Sequence, residues 1–403
     1  MEILYISTLC SPQVGEYLFK TSTIKLGQEA QKYHRLLVEG MATLDIVSSV
    51  KTLSSIPVTS AGHPKIIWKL PSEINGKLIY SYVPFLNLPI VRSFFIFFYT
   101  FFSVLIWCIV GKKREQKIVI CDVLNLTSSL SAFLATLLSG TRVIAIVTDI
   151  PEMMTPESYK KQGLKRNLFN KIVSLYVKGF SGYVLMTEKM NKVVNPRKKP
   201  FLVIEGIVDV NMSNMDNSLE KKDINRIVMY AGGIFEKYGV KKLIQAFSLL
   251  PDSDLRLHIY GTGEMEKDMH IYASNDSRVI YKGLVLNKEI INAELKATLL
   301  VNPRSSSEAF ANYSFPSKNM EYMVSATPVL TTVLPAMPVE YHEFVYLIKD
   351  ESIEGIADVL YKVLNQPKEV LHSFGDKARQ FVLTHKSNLV QSERLINFVS
   401  KLS

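Results

Sequence analysis

The sequence predicts an α/β protein made of two doubly wound parallel sheets in tandem, and three observations carry that expectation. Short β-rich apolar runs alternate with longer periodic segments, which is the pattern of βαβ units. That pattern halts at a polar stretch, 209–226, poor in large apolar residues, and then starts again. A chain of 403 residues also exceeds what one hydrophobic core usually covers.

In the first series the expected strands are "EILYIST" (2–8), "KIVICD" (117–122), "RVIAIVTD" (142–149), "GYVLMT" (182–187) and "FLVIEG" (201–206). Helical periodicity lies between them over 28–41, 124–138 and 164–178. The second series places strands at 226–233, 255–263, 278–285, 297–303 and 327–332, with helices over 241–249, 288–296 and 318–323. The expected organisation is an N-terminal domain over 1–208, a linker over 209–225 and a C-terminal domain over 226–385. A last helix, 386–403, is able to pack back on the first domain.

Composition narrows the function. Residues 1–200 hold 25 Lys and Arg against 12 Asp and Glu, a net of +13, whereas residues 201–403 hold 22 against 25, a net of −3. Such asymmetry turns the first half toward an anionic membrane or another polyanion, or simply gives it a solvated basic surface. Cysteines at 10, 108 and 121 are odd in number and lack CxxC spacing, which argues against a disulfide framework or a zinc ribbon and fits a reducing cytoplasm. The start "MEILYISTLC" reads as a buried strand, so no signal peptide is expected. The histidines form no metal-binding pair.

The run "SFFIFFYTFFSVLIWCIVG" (93–111) carries no charge over 19 residues and is bounded by Arg92 and "KKR" (112–114). Its length permits a membrane span. Spanning would, however, divide strands 2–8 and 117–122 between the two sides of a bilayer, so a buried helix or one lying partly in the interface is expected.

Candidate chemistry concentrates in the second domain. Gly232, Gly233, Gly261, Gly263 and Gly283, with Val285 beside it, fall at strand ends. Ligands of open parallel sheets bind there, and glycine lets backbone N–H groups approach a phosphate. Each glycine equally serves a tight turn. The stretch "SFPSKNMEYM" (314–323) opens a short helix with Pro316 in its first turn and offers the amides of Ser314, Phe315 and Ser317 as an anion site. Lys318 sits where a helix disfavours a cation. It shares a face with Glu321, so a diphosphate and a ribose diol would satisfy both. The alternative is an i,i+3 surface ion pair worth ~0.3 kcal/mol.

The run E-x-F-x-x-Y-S-F-P-S-K-x-x-E-Y-M, preceded by "YAGG…YGVKKLIQAF" and "IYGTGEME", resembles the retaining GT-B glycosyltransferases of family 4, particularly those of bacterial capsule and exopolysaccharide assembly. "TDIPE" (148–152), "GYVLMTEKMN" (182–191) and "VIEGIVD" (203–209) resemble first-domain and hinge segments of that group. The resemblance implies two Rossmann-like domains facing across a cleft. The nucleotide-sugar donor, a UDP-sugar, would bind the second domain, and a lipid-linked saccharide acceptor the first. Cytoplasmic placement at the inner face of a bacterial membrane follows from it, with an anionic membrane surface as partner, no nucleic acid, and no cofactor or metal required.

Carried over residue by residue, the resemblance makes Glu321 the ribose-binding glutamate and gives Tyr313, Ser314 and Phe315 to the donor site. The first glutamate of the family's motif falls at Tyr313, and Glu308 is the acidic residue nearest before it. An Arg and a Lys that neutralise the diphosphate in many members are replaced here by Gly233 and Tyr238, which leaves Lys237 and Lys318 as candidate substitutes. Asp149, either a turn or N-cap aspartate by pattern, becomes a contact to the transferred sugar or the acceptor. Gly15 becomes an acceptor-side residue or remains a turn. Two rival readings are a sugar-nucleotide 2-epimerase, disfavoured by the motif around Glu321, and a silent GT-B scaffold, favoured by the lost Arg/Lys pair.

Overall fold

A computed structural model describes residues 1–23, 29–110, 116–150 and 163–402, and of residues 29–30, 164–166 and 168–170 the backbone alone. The chain divides into two compact units, one of residues 1–207 with 388–403 and one of residues 208–387.

The first unit contains β1 (Glu2–Ser7), α1 (Pro12–Thr21), α2 (Glu29–Thr43), β2 (Ser49–Ser54), β3 (Ile67–Trp68), β4 (Glu73–Asn75), β5 (Leu78–Tyr80) and β6 (Phe85–Leu86). It continues with α3 (Val91–Ile109), β7 (Lys117–Asp122), α4 (Leu126–Ser139), β8 (Arg142–Val147), α5 (Gly163–Val177), β9 (Gly182–Leu185), α6 (Glu188–Val194) and β10 (Phe201–Val203). Eight strands form one sheet in the order β10-β9-β8-β7-β1-β2-β5-β4, parallel except for β4, while β3 and β6 pair separately. β1, β7 and β8 are buried along almost their whole length, which explains why their sequences are continuous apolar runs rather than alternating ones. Helices cover both faces of such a sheet. The closing helix, Asn388–Lys401, lies against α2 where Gly40 leaves room: a Cβ there would stand 2.3 Å from the Asn388 carbonyl oxygen.

The uncharged run forms α3, but it is not a buried helix. It packs on α4 through Ile96, Thr100 and Val104, and Ser131 Oγ on α4 donates to the Phe97 carbonyl. Most of its large side chains are exposed. The basic runs "KKR" (112–114) and the first four residues of "YKKQGLKR" (159–166), expected as membrane contacts, lie outside the described residues.

The second unit contains β11 (Arg226–Ala231), α7 (Val240–Ser248), β12 (Leu255–Tyr260), α8 (Glu266–Asn275), β13 (Val279–Gly283) and α9 (Asn287–Lys296). β14 (Leu299–Asn302), α10 (Ser317–Val324), β15 (Val329–Thr332), β16 (Tyr346–Ile348), α11 (Ile353–Leu364) and α12 (Lys368–Lys386) complete it. Its sheet is parallel throughout, in the order β13-β12-β11-β14-β15-β16. Residues 208–225 pack within this unit: Asn217 Nδ2 donates to Ser325 O at 2.6 Å, and Arg379 binds the carbonyls of Ser213 and Met215, each at 2.8 Å. Two apolar layers, one on each face of the sheet, centre on Leu243, Phe247 and Leu257 and on Met229, Leu300 and Tyr322.

Candidate functional site

The order of the second sheet reverses direction between β11 and β14. Chain connections leave that point on opposite faces, so the loops beyond these two strands diverge and open a crevice at their carboxyl ends. Two segments border it, 232–239 after β11 and 303–316 after β14.

The glycines make the first segment possible. β12 stops at Tyr260 because Gly261 turns to φ +125°, and a Cβ there would stand 1.8 Å from the Gly232 carbonyl oxygen. Gly232 N–H donates to Tyr260 O at 3.0 Å and Gly261 N–H to Gly283 O at 2.8 Å. These two amides therefore tie strand ends together instead of facing a ligand. Gly263 lies against Ile234, whose carbonyl oxygen would be 2.3 Å from an added Cβ. The amides of Gly233 and Gly263 have no partner among the described residues. Gly283 takes φ +71° at the end of β13, with half-buried Val285 two residues on.

Beside Gly233 stands a cluster of rings and cations. Tyr238 meets Phe235 edge to face at 5.5 Å and Phe310 at 5.9 Å, joining the two border segments. Lys237 Nζ lies 5.6, 5.4 and 5.7 Å from the Phe235, Tyr238 and Phe310 ring centres. The Arg304 guanidinium lies 5.0 Å from Tyr238 and 5.2 Å from Phe310, and its Nη1 donates to Ser314 Oγ at 3.2 Å. Aromatic faces stabilise cations by about 0.5–2 kcal/mol without neutralising them. The segments are pinned further by Gly239, at φ +77°, whose close approach to the Pro303 carbonyl leaves no space for a side chain. Glu351 accepts from Ser305 Oγ at 2.9 Å and Ser306 N at 3.1 Å, fixing the stretch that follows Arg304.

At α10 the local geometry differs from the sequence expectation. Pro316 is the N-cap, and the Ser314 and Ser317 amides donate to Phe310 O and Phe315 O at 3.0 and 2.9 Å. Only the Phe315 amide among those three lacks a partner among the described residues. The Phe315 ring is in the core, 5.2 Å from that of Tyr341. Lys318 Nζ pairs with Glu321 Oε2 at 3.0 Å, with side chains 23% and 15% exposed, so this pair is much better shielded than an ordinary surface one. Tyr322 holds the helix to the sheet: its hydroxyl accepts from Ala231 N at 2.8 Å and donates to Ala231 O at 3.1 Å. Glu308 caps a 3-10 turn, Ala309–Asn312, and is half-buried; its carbonyl accepts from Ala311 N at 2.9 Å, while its carboxylate makes no hydrogen bond or ion pair among the described residues. Tyr313 ends that turn.

In the first unit, Asp149 follows β8 and is half-buried. Gly15 is not in a turn: it lies in α1, its amide donating to Ser11 O at 2.9 Å, with open space where a Cβ would point. The first sheet reverses order between β1 and β7. Near that reversal Asn125 Nδ2 donates to Ser55 Oγ, and buried Asp122 stands 3.4 Å from His34, whose Nδ1 meets the Tyr5 hydroxyl at 2.6 Å.

Sequence reasoning thus brought Gly233, Gly263, Lys237, Ser314, Phe315, Lys318 and Glu321 into the loops and helix at one sheet reversal, and missed Arg304, the Tyr238 ring that carries it, and Glu351, which fixes the stretch after it. The signal for Arg304 was present in "NPRSSSE", a lone cation just beyond an apolar strand.

Two parallel-sheet α/β units of this kind define the GT-B fold, and solved structures of that fold superpose on the whole chain. Sucrose-phosphate synthase from Thermosynechococcus elongatus does so with a TM-score of 0.68 and 12% identity over 100% of both chains. Anabaena HepE in complex with UDP-glucose gives 0.62 and 13% over 100% of both, and a glycosyltransferase from Rickettsia africae 0.58 and 16% over 100% of this chain and 98% of the other. Residues 211–381 match the family model of glycosyl transferases group 1, which spans nearly all of the second unit. No curated protein matches the chain in sequence. Fold and domain together support a GT-B glycosyltransferase.

Proposed function

We propose that the protein is a retaining glycosyltransferase of family 4 type. It moves a sugar from a UDP-sugar to a lipid-linked saccharide in bacterial capsule or exopolysaccharide synthesis, at the inner face of the membrane. The observation that carries this reading is the pair of cations, Lys237 and Arg304, held on rings at the sheet reversal, with the shielded Lys318–Glu321 pair on the helix that follows. Two cations suit a diphosphate, and a carboxylate suits the vicinal hydroxyls of a ribose. HepE, a structural neighbour, was solved with UDP-glucose. TarM, another, was solved with UDP and a glycosylated glycerol.

Charge grows on the diphosphate as the glycosidic bond breaks, so groups that face it accelerate the chemical step more than they tighten binding. Lys237 and Arg304 fill that role where Gly233 and Tyr238 replace the family's basic pair. The amides of Gly233, Gly263 and Phe315, which have no partner among the described residues, add neutral donors. In retention without an enzyme nucleophile, the acceptor hydroxyl attacks the face that the diphosphate leaves, and the departing phosphate oxygen takes the proton. The chain then holds two substrates in register. Asp149 and Gly15 are assigned to the acceptor side, and Glu308 to the hydroxyls of the transferred sugar. The presence of two ring-held cations weighs against a silent scaffold. The test is transfer itself: release of UDP in the presence of bacterial membrane lipid extract, with the anomeric configuration of the product read by NMR. Retained configuration supports the reading, and inversion or absence of transfer with every UDP-sugar refutes it.

A further inference from the structure

α3 presents a single apolar stripe to solvent. At ~100° per residue, Phe94, Phe95, Phe98, Tyr99, Phe102 and Ile106 fall within an arc of about 140° on one side of the helix, and all six are exposed. The buried positions Ile96, Thr100 and Val104 lie on the other side, against α4. A helix of 19 residues, about 28 Å long at ~1.5 Å per residue, thus leaves an uncharged aromatic face uncovered. The patch extends beyond it to exposed Ile90, the residue just before the helix. Exposed apolar faces of this extent mark contact with a protein or a membrane.

We infer that this face is an in-plane membrane anchor that inserts its aromatic side chains among the lipids of an anionic bilayer. Charge selects the bilayer over a second copy of the chain. In the sequence the stripe is followed by Lys112, Lys113 and Arg114, whereas Arg92 and Lys117 turn inward, Arg92 donating to the Ile56 carbonyl and Lys117 bonding the Trp107 and Val110 carbonyls beside Glu2. The first 200 residues carry a net +13, so pairing two copies through this face would bring like charges together, whereas anionic lipid attracts them. Phenylalanine and tyrosine beside basic residues suit the interfacial zone of a bilayer. A span is excluded by packing: β1, which precedes α3, and β7, which follows it, pair in one sheet, and Ser131 bonds the helix to α4. The anchor deepens the proposed function, on whose lipid-linked acceptor its biological sense rests, but its test needs no sugar transfer.

Flotation of the full chain with vesicles of phosphatidylglycerol and phosphatidylethanolamine is the experiment. Binding is expected, partly resistant to high salt because apolar insertion outlasts screened charge. It should fall about tenfold or more in the Phe98→Glu/Phe102→Glu variant, with UDP binding retained. Since that variant is able to misfold, Tyr99→Trp supplies a second reading: its fluorescence should shift to the blue on adding vesicles. Absence of flotation, flotation unchanged by the glutamates in a folded variant, or an unshifted Tyr99→Trp spectrum overturns the anchor. A wild-type dimer that the glutamates dissociate, without any lipid binding, assigns the face to a second copy instead. Loss of transfer with vesicle binding intact counts against the proposed function alone.

Discussion

Arg304 lies over Tyr238, its guanidinium 5.0 Å from the ring centre, although 66 positions separate the two residues. Pairing of β11 with β14 brings them together, since each residue sits just beyond the carboxyl end of one of these adjacent strands. The contact places a permanent positive charge on the border segment whose own sequence has glycine and tyrosine where the family's basic pair would fall.

If that charge faces a leaving diphosphate, Arg304→Ala should lower turnover by about 100-fold while weakening donor binding much less, as for a donor aimed at developing charge. Lys237→Ala should act in the same direction. Steady-state kinetics with a fixed acceptor separates the two effects, and a rise in the donor KM with turnover unchanged would make Arg304 a ground-state contact only.

Glu321→Ala removes a carboxylate and leaves Lys318 without its 3.0 Å partner. Donor affinity should fall by ~1.5–3 kcal/mol, the range for a hydrogen bond to a charged group. Titration calorimetry checks this. Unchanged affinity would return the pair to a purely structural role.

Tyr322→Phe deletes the hydroxyl that satisfies both the N–H and the C=O of Ala231. Tyr322 is fully buried, so water does not replace it, and stability should drop by ~2 kcal/mol. Urea unfolding measures the loss, and a midpoint equal to wild type would show that the backbone finds other partners.

Lys222 donates to Thr327 Oγ1 at 2.8 Å, and desolvation pushes its ammonium down to about 7. The unfolded chain keeps that proton up to ~10.4. Between these limits the unfolded state binds more protons, so stability should rise with pH. Lys222→Met should be more stable than wild type near pH 7 and lose part of this rise between pH 7 and 10. Denaturation midpoints across that range decide the point, and parallel curves would refute it.

The strands of both sheets were legible because parallel strands covered on both faces need continuous apolar runs, as in β1, β7 and β8. β2 escaped notice because Lys51 and Thr52 interrupt its run, and β4, β5 and β16 because each has three residues. Strand ends were overestimated at 260 and 283, where glycines with positive φ stop the ladder. The site was half legible. Residues on one short helix, Lys318 and Glu321, share a face that periodicity displays, whereas Arg304 and Tyr238 meet only through strand order. The outward face of α3 was likewise hidden, since an uncharged helix reads the same whether it is buried or exposed.

The central claim is that the reversal between β11 and β14 binds a nucleoside diphosphate through Arg304 and Lys237. Titration calorimetry of UDP into the wild-type chain and the Arg304→Ala/Lys237→Ala variant tests it most directly. The account predicts saturable binding to the wild type and at least about tenfold weaker binding to the variant. Equal affinity in the two, or no binding of UDP to the folded wild type, would contradict it.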